Sequence, residues 1–284
     1  MFEMLGTAYR QVLGRIAKPA MILAVLSPIS FTPANAAGDL LIAPTRVILD
    51  SRRGAEVILN NIGAEEATYR VTLELRRMND QGRLDDVQSG LETDQEKAAL
   101  GAIRYAPRRV TLPPNQPQAI RVGMQPGETL ADGEYRAHML FRAIPKTPVA
   151  DGSESSADGL KIQIIPIYGI SIPVIVRKGN LQATAALSNV RMGKNNEGPT
   201  LDFDLNRAGS KSLFGEIHVS KPGIADPISV TKGIAAYPEI TRRKVSIDLD
   251  PETAAKMHGE IIISYVEAPE AGGGLISQVR SVLP

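Results

Sequence analysis

The chain contains no cysteine and no tryptophan, and only 4% of its residues are aromatic. The absence of cysteine excludes disulfides, thiolate nucleophiles, zinc fingers and cysteine-ligated iron–sulfur clusters together. Lysine and arginine number 32 against 31 aspartate and glutamate, so the chain lacks the basic surplus that nucleic-acid binding requires. A hydrophobic content of 43% nevertheless predicts a folded globular protein. The 25 glycines and 20 prolines favour short strands and turns over long helices.

Residues 1–36 have the parts of an export signal. Basic residues come first, an apolar run from Pro19 to Phe31 follows, and small residues at Ala34 and Ala36 end the segment. The basic residues are Arg10, Arg15 and Lys18. A membrane anchor is the alternative, but about 20 apolar residues are needed to span a bilayer. The sequence predicts a cleaved secretory signal peptide and no membrane insertion after cleavage.

Alternation of apolar and polar residues dominates the part of the chain that follows. Between Tyr69 and Arg76 every odd position is apolar and every even position is polar, which is the pattern of a half-buried strand. The other predicted strands are Leu40 to Leu49, Ala55 to Asn60, Gln118 to Met124 and Tyr135 to Ala143. Two polar insertions, Asn79 to Leu100 and Lys146 to Asp158, separate them. This part is therefore predicted to be all-β.

The stretch from Leu160 to Val176 is the most hydrophobic of the exported chain. Lys161 is its only charge, and Pro166 and Pro173 argue against a helix. Because proline donates no ladder hydrogen bond, the sequence predicts a bent strand or an edge strand here. Two interpretations remain open. The stretch is either a core strand with the next strand behind it, or a strand whose apolar edge is left unpaired for a partner.

A second set of strands follows the linker Arg177 to Asn180. Seven short alternating segments between Ala183 and Val282 predict an immunoglobulin-like sandwich. They are Ala183 to Val190, Thr200 to Leu205, Gly215 to Val219, Ile228 to Ala236, Lys244 to Leu249, Glu260 to Val266 and Leu275 to Val282. The only tidy helix signal is Asp250 as N-cap with Pro251 at the first position and Gly259 as the stop.

The sequence shows little that suggests catalysis. The three histidines, His138, His218 and His258, have no spacing that would bind a metal, and His138 is predicted to be exposed on the polar face of its strand. Asp202 and Asp204 alternate on one strand face, and a solvent-exposed face explains this at least as well as a catalytic pair of carboxylates does. No nucleophile elbow, dinucleotide fingerprint or P-loop occurs. We therefore expect no enzymatic activity, no cofactor and no metal, and we expect function through a binding surface.

Four motifs in order resemble the periplasmic chaperones of chaperone–usher pilus assembly. They are Ile42-Ala43-Pro44-Thr45-Arg46-Val47-Ile48-Leu49, Ile103 to Gln116 (IRYAPRRVTLPPNQ), Asp132 to Arg136 (DGEYR) running to Ile144-Pro145, and the hydrophobic strand that ends Ile172-Pro173-Val174-Ile175-Val176-Arg177. The resemblance covers the first β domain well and the second loosely.

The resemblance implies a fold of two tandem immunoglobulin-like sandwiches, set at an angle with a cleft between them. The implied boundaries are a signal peptide at 1–36, a domain with the donor strand at 37–178 and a second domain at 179–284. Such chaperones insert a long strand into the groove of a pilus subunit that lacks its last strand. They then deliver the subunit to an outer-membrane usher. Pilus subunits and the usher are therefore the expected partners.

The resemblance also implies roles for individual residues. Arg46 occupies the position of the arginine that holds the subunit's C-terminal carboxylate. The lysine that accompanies it in the family is replaced by Pro173, which leaves Lys161, Arg142 and Lys178 as candidate substitutes. Glu134 and Arg177 match a charge network between the domains, and Glu267 is a candidate third member.

The parity of the donor strand is left open by the sequence. Leu160, Ile162 and Ile164 alternate cleanly with Lys161 and Gln163 and are the preferred groove fillers, whereas Ile165 and Ile167 have the opposite parity. Two other functions are weighed. A secreted adhesin or carbohydrate-binding module is disfavoured by the scarcity of aromatic residues, and a hydrolase is disfavoured by the lack of a nucleophile–base pair.

Overall fold

The computed structural model describes residues 40–50, 54–125, 130–145 and 167–284, apart from the side chain of Glu270. The strands of the first part are β1 (Leu40–Ala43), β2 (Val47–Leu49), β3 (Ala55–Asn61), β4 (Ala67–Glu74), β5 (Arg76–Met78), β6 (Leu84–Asp86), β7 (Ile103–Ala106), β8 (Arg109–Leu112), β9 (Pro117–Met124), β10 (Gly133–Ile144) and β11 (Gly169–Lys178). Helix α1 (Asp94–Ala102) lies between β6 and β7.

The strands of the second part are β12 (Ala183–Lys194), β13 (Pro199–Gly209), β14 (Leu213–Ser220), β15 (Ser229–Ala236), β16 (Arg242–Asp248), β17 (Gly259–Glu267) and β18 (Leu275–Leu283). Helix α2 (Pro251–Lys256) precedes β17, and a single 3₁₀ turn (Pro269–Ala271) follows it. None of the helices in the described part of the chain is long and apolar enough to cross a membrane.

The first part is a sandwich of two sheets. One sheet has the strand order β1-β3-β9-β7 and the other has the order β2-β11-β10-β4-β8. Alternate residues of each strand point inward, and large side chains such as Leu59, Ile120 and Phe141 are fully buried between the sheets. The small hairpin of β5 and β6 stands apart from both sheets. The period-2 pattern predicted from the sequence therefore builds this core.

The second part is a smaller sandwich. Its sheets have the orders β12-β13-β16 and β15-β14-β17-β18, and its core includes the fully buried Phe203, Ile217 and Tyr265. All seven strands predicted from the sequence are present here within a few residues of their predicted ends. The predicted all-β class with two immunoglobulin-like sandwiches in tandem is thus confirmed.

The predicted strand from Leu40 to Leu49 is wrong as a single element. The chain breaks at Pro44, so that β1 pairs with β3 in one sheet and β2 pairs with β11 in the other. Proline has no N–H to continue the ladder, which explains why the chain leaves the first sheet at this point. The switch places Arg46 directly before β2, at the edge of the second sheet.

The sequence predicted one of the two helices and missed the other. Helix α2 begins as predicted, because the Asp250 carboxylate accepts a hydrogen bond from the Thr253 N–H at 2.8 Å. Helix α1 lies inside the segment that was predicted to be a polar insertion. Its start is a capping box in which Thr93 and Glu96 exchange hydrogen bonds between side chain and backbone.

The hairpin of β5 and β6 connects the two sandwiches. The Lys244 N–H on β16 donates to the Asp80 carbonyl at 2.7 Å, and the Lys244 ammonium pairs with the Asp80 carboxylate at 3.0 Å. The hydrogen bond from Lys244 lowers the pKa of Asp80. The Met78 N–H also donates to Glu239 of the second sandwich at 2.8 Å. Backbone and side-chain bonds therefore join the two parts beyond the linker.

Candidate functional site

Strand β11 has an edge that is only half covered. It pairs with β10 over its whole length, from Gly169 to Lys178, but β2 pairs only with Val174 to Val176 on the other side. Residues Gly169–Pro173 therefore have no neighbouring strand on that side among the described residues. We call these five residues the open edge. An open edge offers unpaired N–H and C=O groups to another chain.

The register fixes which peptide groups of β11 face outward. The Ala143 N–H donates to the Tyr168 carbonyl at 3.0 Å, so Tyr168 faces β10. Alternate residues of a strand bond to the same side, so Ile170 and Ile172 face β10 as well. Gly169, Ser171 and Pro173 face the open edge. Pro173 thus costs no bond to β10 and interrupts only the outer row of donors.

Four residues on the outer face of this sheet form one row, which crosses three strands and ends at the residue before β2. Pro173 is opposite His138 on β10, and His138 is opposite Glu74 on β4. Val47 is opposite Val174, so continuing this register by one residue sets Arg46 opposite Pro173. We call Arg46, Pro173, His138 and Glu74 the cross-strand row. Neighbouring strands are about 4.8 Å apart. Arg46 and His138 lie on either side of Pro173, so their backbones are separated by about two such spacings.

Arg46 is held from behind by the second sandwich. Its Nη1 donates to the Tyr237 hydroxyl at 3.2 Å and its Nη2 donates to Ser212 Oγ at 3.3 Å. The guanidinium also lies over the ring of Phe214, 4.5 Å from the ring centre. Its Nε is buried and has no hydrogen-bond partner within the described part of the chain. These contacts orient a cation and leave one of its donors unused.

A second arginine contacts the same tyrosine. The Arg136 guanidinium lies 3.6 Å from the centre of the Tyr237 ring, and that ring is also 5.4 Å from Arg46. Unlike Arg46, Arg136 has an acidic partner, because its Nη2 approaches the Glu239 carboxylate at 2.5 Å. Tyr237 therefore separates a paired arginine from an unpaired one.

Glu134 and Arg177 are brought together by the register of β10 and β11. The Glu134 Oε2 accepts hydrogen bonds from Arg177 Nε at 3.0 Å, from the Ser212 N–H at 2.9 Å and from Ser212 Oγ at 3.0 Å. The Glu134 side chain is only 1% exposed. The third member of this network in the structure is Ser212. Glu267 lies at the end of β17, paired with Gly215, and its described contacts do not include Glu134 or Arg177.

The charges around the row leave Arg46 unbalanced. Arg177 pairs with Glu134, Arg136 pairs with Glu239, and Arg76 pairs with Glu74 at 2.8 Å. Among the described residues, no carboxylate lies within ion-pair distance of Arg46. A half-buried cation without a counter-ion favours an anion at this position.

His138 is buried, and the prediction that it is exposed was wrong. Its residue is 1% exposed, and neither ring nitrogen has a hydrogen-bond partner in the described part of the chain. Burial, and then the positive charge of Arg136, Arg76 and Arg46, lowers the pKa of His138 to about 3. The ring is therefore neutral near pH 7. The sequence misled because the face that carries His138 is not a solvent-facing one.

The remaining predicted residues are dispersed. Leu160, Lys161, Ile162, Ile164 and Ile165 lie outside the described residues, and Ile167 precedes β11 with 56% of its surface exposed. Arg142 is exposed and lies opposite Gly169, at the far end of the open edge from Arg46. The Lys178 ammonium donates to the Leu130 carbonyl, away from the row. The structure therefore brings none of the described candidates, Arg142 or Lys178, beside Arg46.

Three contributors to the site were missed by the sequence reasoning. Ser212, Phe214 and Tyr237 come from the second sandwich, more than 160 residues after Arg46. No local signal in the sequence indicates these contacts, because only the packing of the two sandwiches brings the three residues to Arg46. Within the described residues, no group of three or more acidic or histidine side chains is arranged to hold a metal ion.

Comparison with solved structures gives similar folds. The chain resembles a chain of the complex between the chaperone CsuC and the tip adhesion subunit CsuE of the chaperone–usher Csu pili of Acinetobacter baumannii, with 12% identity, a TM-score of 0.44, and coverage of 87% of this chain and 98% of that one. It also resembles the CupB2 chaperone of Pseudomonas aeruginosa, with 12% identity, a TM-score of 0.42, and coverage of 86% and 100%.

A third similar structure is the SafA pilin of Salmonella enterica in complex with the SafB chaperone, with 13% identity, a TM-score of 0.41, and coverage of 86% of this chain and 96% of that one. No protein-family model matches the chain, and no curated relative matches its sequence.

Proposed function

We propose that this chain is a periplasmic chaperone that binds and caps pilus subunits by adding a strand to them. The observation that carries the proposal is the open edge of β11, which ends at an arginine without a counter-ion. A pilus subunit that lacks its last strand needs both backbone partners and apolar side chains, and strand addition supplies the two together.

The open edge supplies the backbone part of this interaction. The N–H and carbonyl groups of Gly169 and Ser171 face outward by the register of β11, whereas β2 takes over the outward side from Pro173 onward. A partner strand laid along them would form a ladder that continues the sheet of the first sandwich. The apolar part is assigned to Leu160, Ile162 and Ile164, each of which would contribute about 1.5–3 kcal/mol when buried in the subunit groove.

The end of the open edge determines the direction of the partner strand. β2 occupies the edge from Val174 onward, so a partner strand cannot extend past Pro173. A strand that runs parallel to β11 would bring its C-terminus to this point, beside Arg46. A strand that runs antiparallel would bring its positively charged N-terminus there, against the unpaired guanidinium. Coulomb repulsion disfavours the second arrangement, so we infer a parallel strand whose terminal carboxylate binds Arg46.

The wider setting follows from the same proposal. Residues 1–36 would direct the chain to the periplasm and be removed there. The bound subunit would then be passed to an outer-membrane usher, where the next subunit's strand replaces β11. The Glu134–Arg177–Ser212 network and the β5–β6 hairpin would hold Ser212, Phe214 and Tyr237 behind Arg46, and so keep the arginine in position.

Co-expression in the periplasm with a candidate pilus subunit tests the proposal. We expect a stable one-to-one complex with the unchanged chaperone, and at least a tenfold weaker complex with Arg46→Gln, because hydrogen bonds to a charged group contribute about 1.5–3 kcal/mol. Arg121→Gln is the matched control, since the Arg121 side chain is 86% exposed on the opposite sheet. A subunit that accumulates equally well without this chain would contradict the proposal.

A further inference from the structure

Four buried polar atoms near the open edge have no hydrogen-bond partner among the described residues. They are Arg46 Nε, Arg136 Nε and the two ring nitrogens of His138. Buried polar groups are paired in most native structures. The unpaired donors here are the Nε–H groups of the two arginines and the one N–H of the neutral imidazole, and their position on one sheet face indicates a missing acceptor. Arg136 and His138 are two residues apart on β10 and therefore share this face.

The cross-strand row places His138 on the far side of Pro173 from Arg46. Pro173 has a short, uncharged side chain and lies between Arg46 and His138 in the cross-strand row. A carboxylate that ends a partner strand at Pro173 would lie between them. The ring is 1% exposed before any partner binds, so a hydrogen bond made there would be shielded from water.

We propose that His138 is the second contact of the bound carboxylate, and that its neutral ring donates one N–H to the oxygen that Arg46 does not hold. This inference rests on the proposed function, because it takes the carboxylate of the partner strand as its ligand. An uncharged donor on β10 would then make the second contact to the carboxylate, in place of a lysine on β11. No proton is transferred, since the neutral imidazole already carries one N–H and keeps it.

The neutrality of the ring follows first from its burial and then from its neighbours. Arg136 on its own strand, Arg76 on β5 and Arg46 before β2 surround it with positive charge, and each of these disfavours a second proton. Glu74 on β4 is opposite His138, but its carboxylate is engaged by Arg76 and by the Ser171 hydroxyl at 3.2 Å. The site therefore combines one permanent cation with one neutral donor.

The test uses the full mature chain and a pair of short acetylated peptides of alternating valine and threonine. One peptide ends in a free carboxylate, and the other is its C-terminal amide. We expect the unchanged chain to prefer the carboxylate peptide, and His138→Leu to reduce that preference about tenfold while amide binding stays the same. His218→Leu, on β14 of the second sandwich, is the matched control and should leave the preference unchanged.

A spectroscopic measurement covers the case in which His138→Leu fails to fold. The chain has only three histidines, so the imidazole nitrogen resonances are assignable by NMR in the unchanged chain. The carboxylate peptide should shift the His138 signals, the amide peptide should not, and His218 and His258 should not respond to either. A His138 ring that is indifferent to the carboxylate peptide overturns the inference.

The results of the peptide test distinguish the role of His138 from the role of Arg46 as the carboxylate anchor. If Arg46→Gln abolishes the carboxylate preference and His138→Leu leaves it intact, the inference is wrong and the anchoring role of Arg46 stands. If the unchanged chain binds both peptides equally, the carboxylate anchor itself is wrong, and the role of His138 falls with it.

Discussion

Replacing Glu134 by glutamine should destabilise the chain far more than its small chemical change suggests. One oxygen of Glu134 accepts three hydrogen bonds, from Arg177 and from two groups of Ser212, and the side chain is 1% exposed. Glutamine removes the negative charge and leaves the Arg177 cation without its partner.

The magnitude follows from the burial of the two partners. Breaking a buried ion pair by removing one partner costs about 3–5 kcal/mol. The Arg177 side chain is 21% exposed, so water can solvate part of the unpaired cation and reduce this cost. We expect a decrease of about 2–3 kcal/mol in the free energy of unfolding. The control is Glu56→Gln, which breaks a pair with Arg121 whose side chains are 58% and 86% exposed, and this should cost less than about 0.5 kcal/mol.

Urea unfolding followed by far-ultraviolet circular dichroism measures both variants. Because Glu134 joins the two sandwiches, its loss should also separate a single transition into two. Raising the salt concentration to about 1 M should leave the cost of Glu134→Gln nearly unchanged, since a buried pair is screened little. A cost equal to that of Glu56→Gln, or one that vanishes in salt, would refute the reasoning.

Three further predictions concern stability. His138 has a pKa of about 3 in the folded chain and about 6.5 when unfolded, so the unfolded state binds the extra proton and stability falls as pH drops through that range. Urea unfolding at about pH 7 and about pH 4 measures this effect: the free energy of unfolding should decrease by roughly 3 kcal/mol less in His138→Leu than in the unchanged chain. Thr93→Ala removes the N-cap of α1 and should cost about 1 kcal/mol in the same urea assay. Thr111→Ala, which removes only the exposed hydrogen bond to Thr68 on the neighbouring strand, should cost less. Gly215→Ala would bring its new methyl group within 2.0 Å of the Val266 carbonyl, so thermal unfolding should show a loss of several kcal/mol, and an unchanged melting temperature would contradict the packing described for β14 and β17.

The sequence predicted the strands well because alternation is a local signal. Each strand of the second sandwich shows the alternation within its own few residues. The start of α2 is likewise indicated by Asp250 and Pro251 alone. The capping box of α1 is equally local, but Thr93 and Glu96 lie in a polar segment whose apolar periodicity is weak. The helix was therefore missed.

The site was predictable only in part because its remaining contacts are long-range. Period-2 alternation separates two faces of a strand, but it does not say whether the polar face meets water or another domain. His138 belongs to such a face, and its burial was predicted wrongly. The partners of Arg46 lie in a different sandwich, and no spacing along the chain indicates that Ser212 and Tyr237 approach it.

Backbone amide hydrogen exchange of β11 tests the central claim most directly. In the free chain, the amides of Gly169 and Ser171 face the open edge and should exchange quickly, whereas those of Ile170 and Ile172 are bonded to β10 and should be protected. Binding of a pilus subunit should protect Gly169 and Ser171 and leave Ile170 and Ile172 as they were. If a bound subunit leaves Gly169 and Ser171 exchanging at the rate of the free chain, β11 does not donate its edge and the account is wrong.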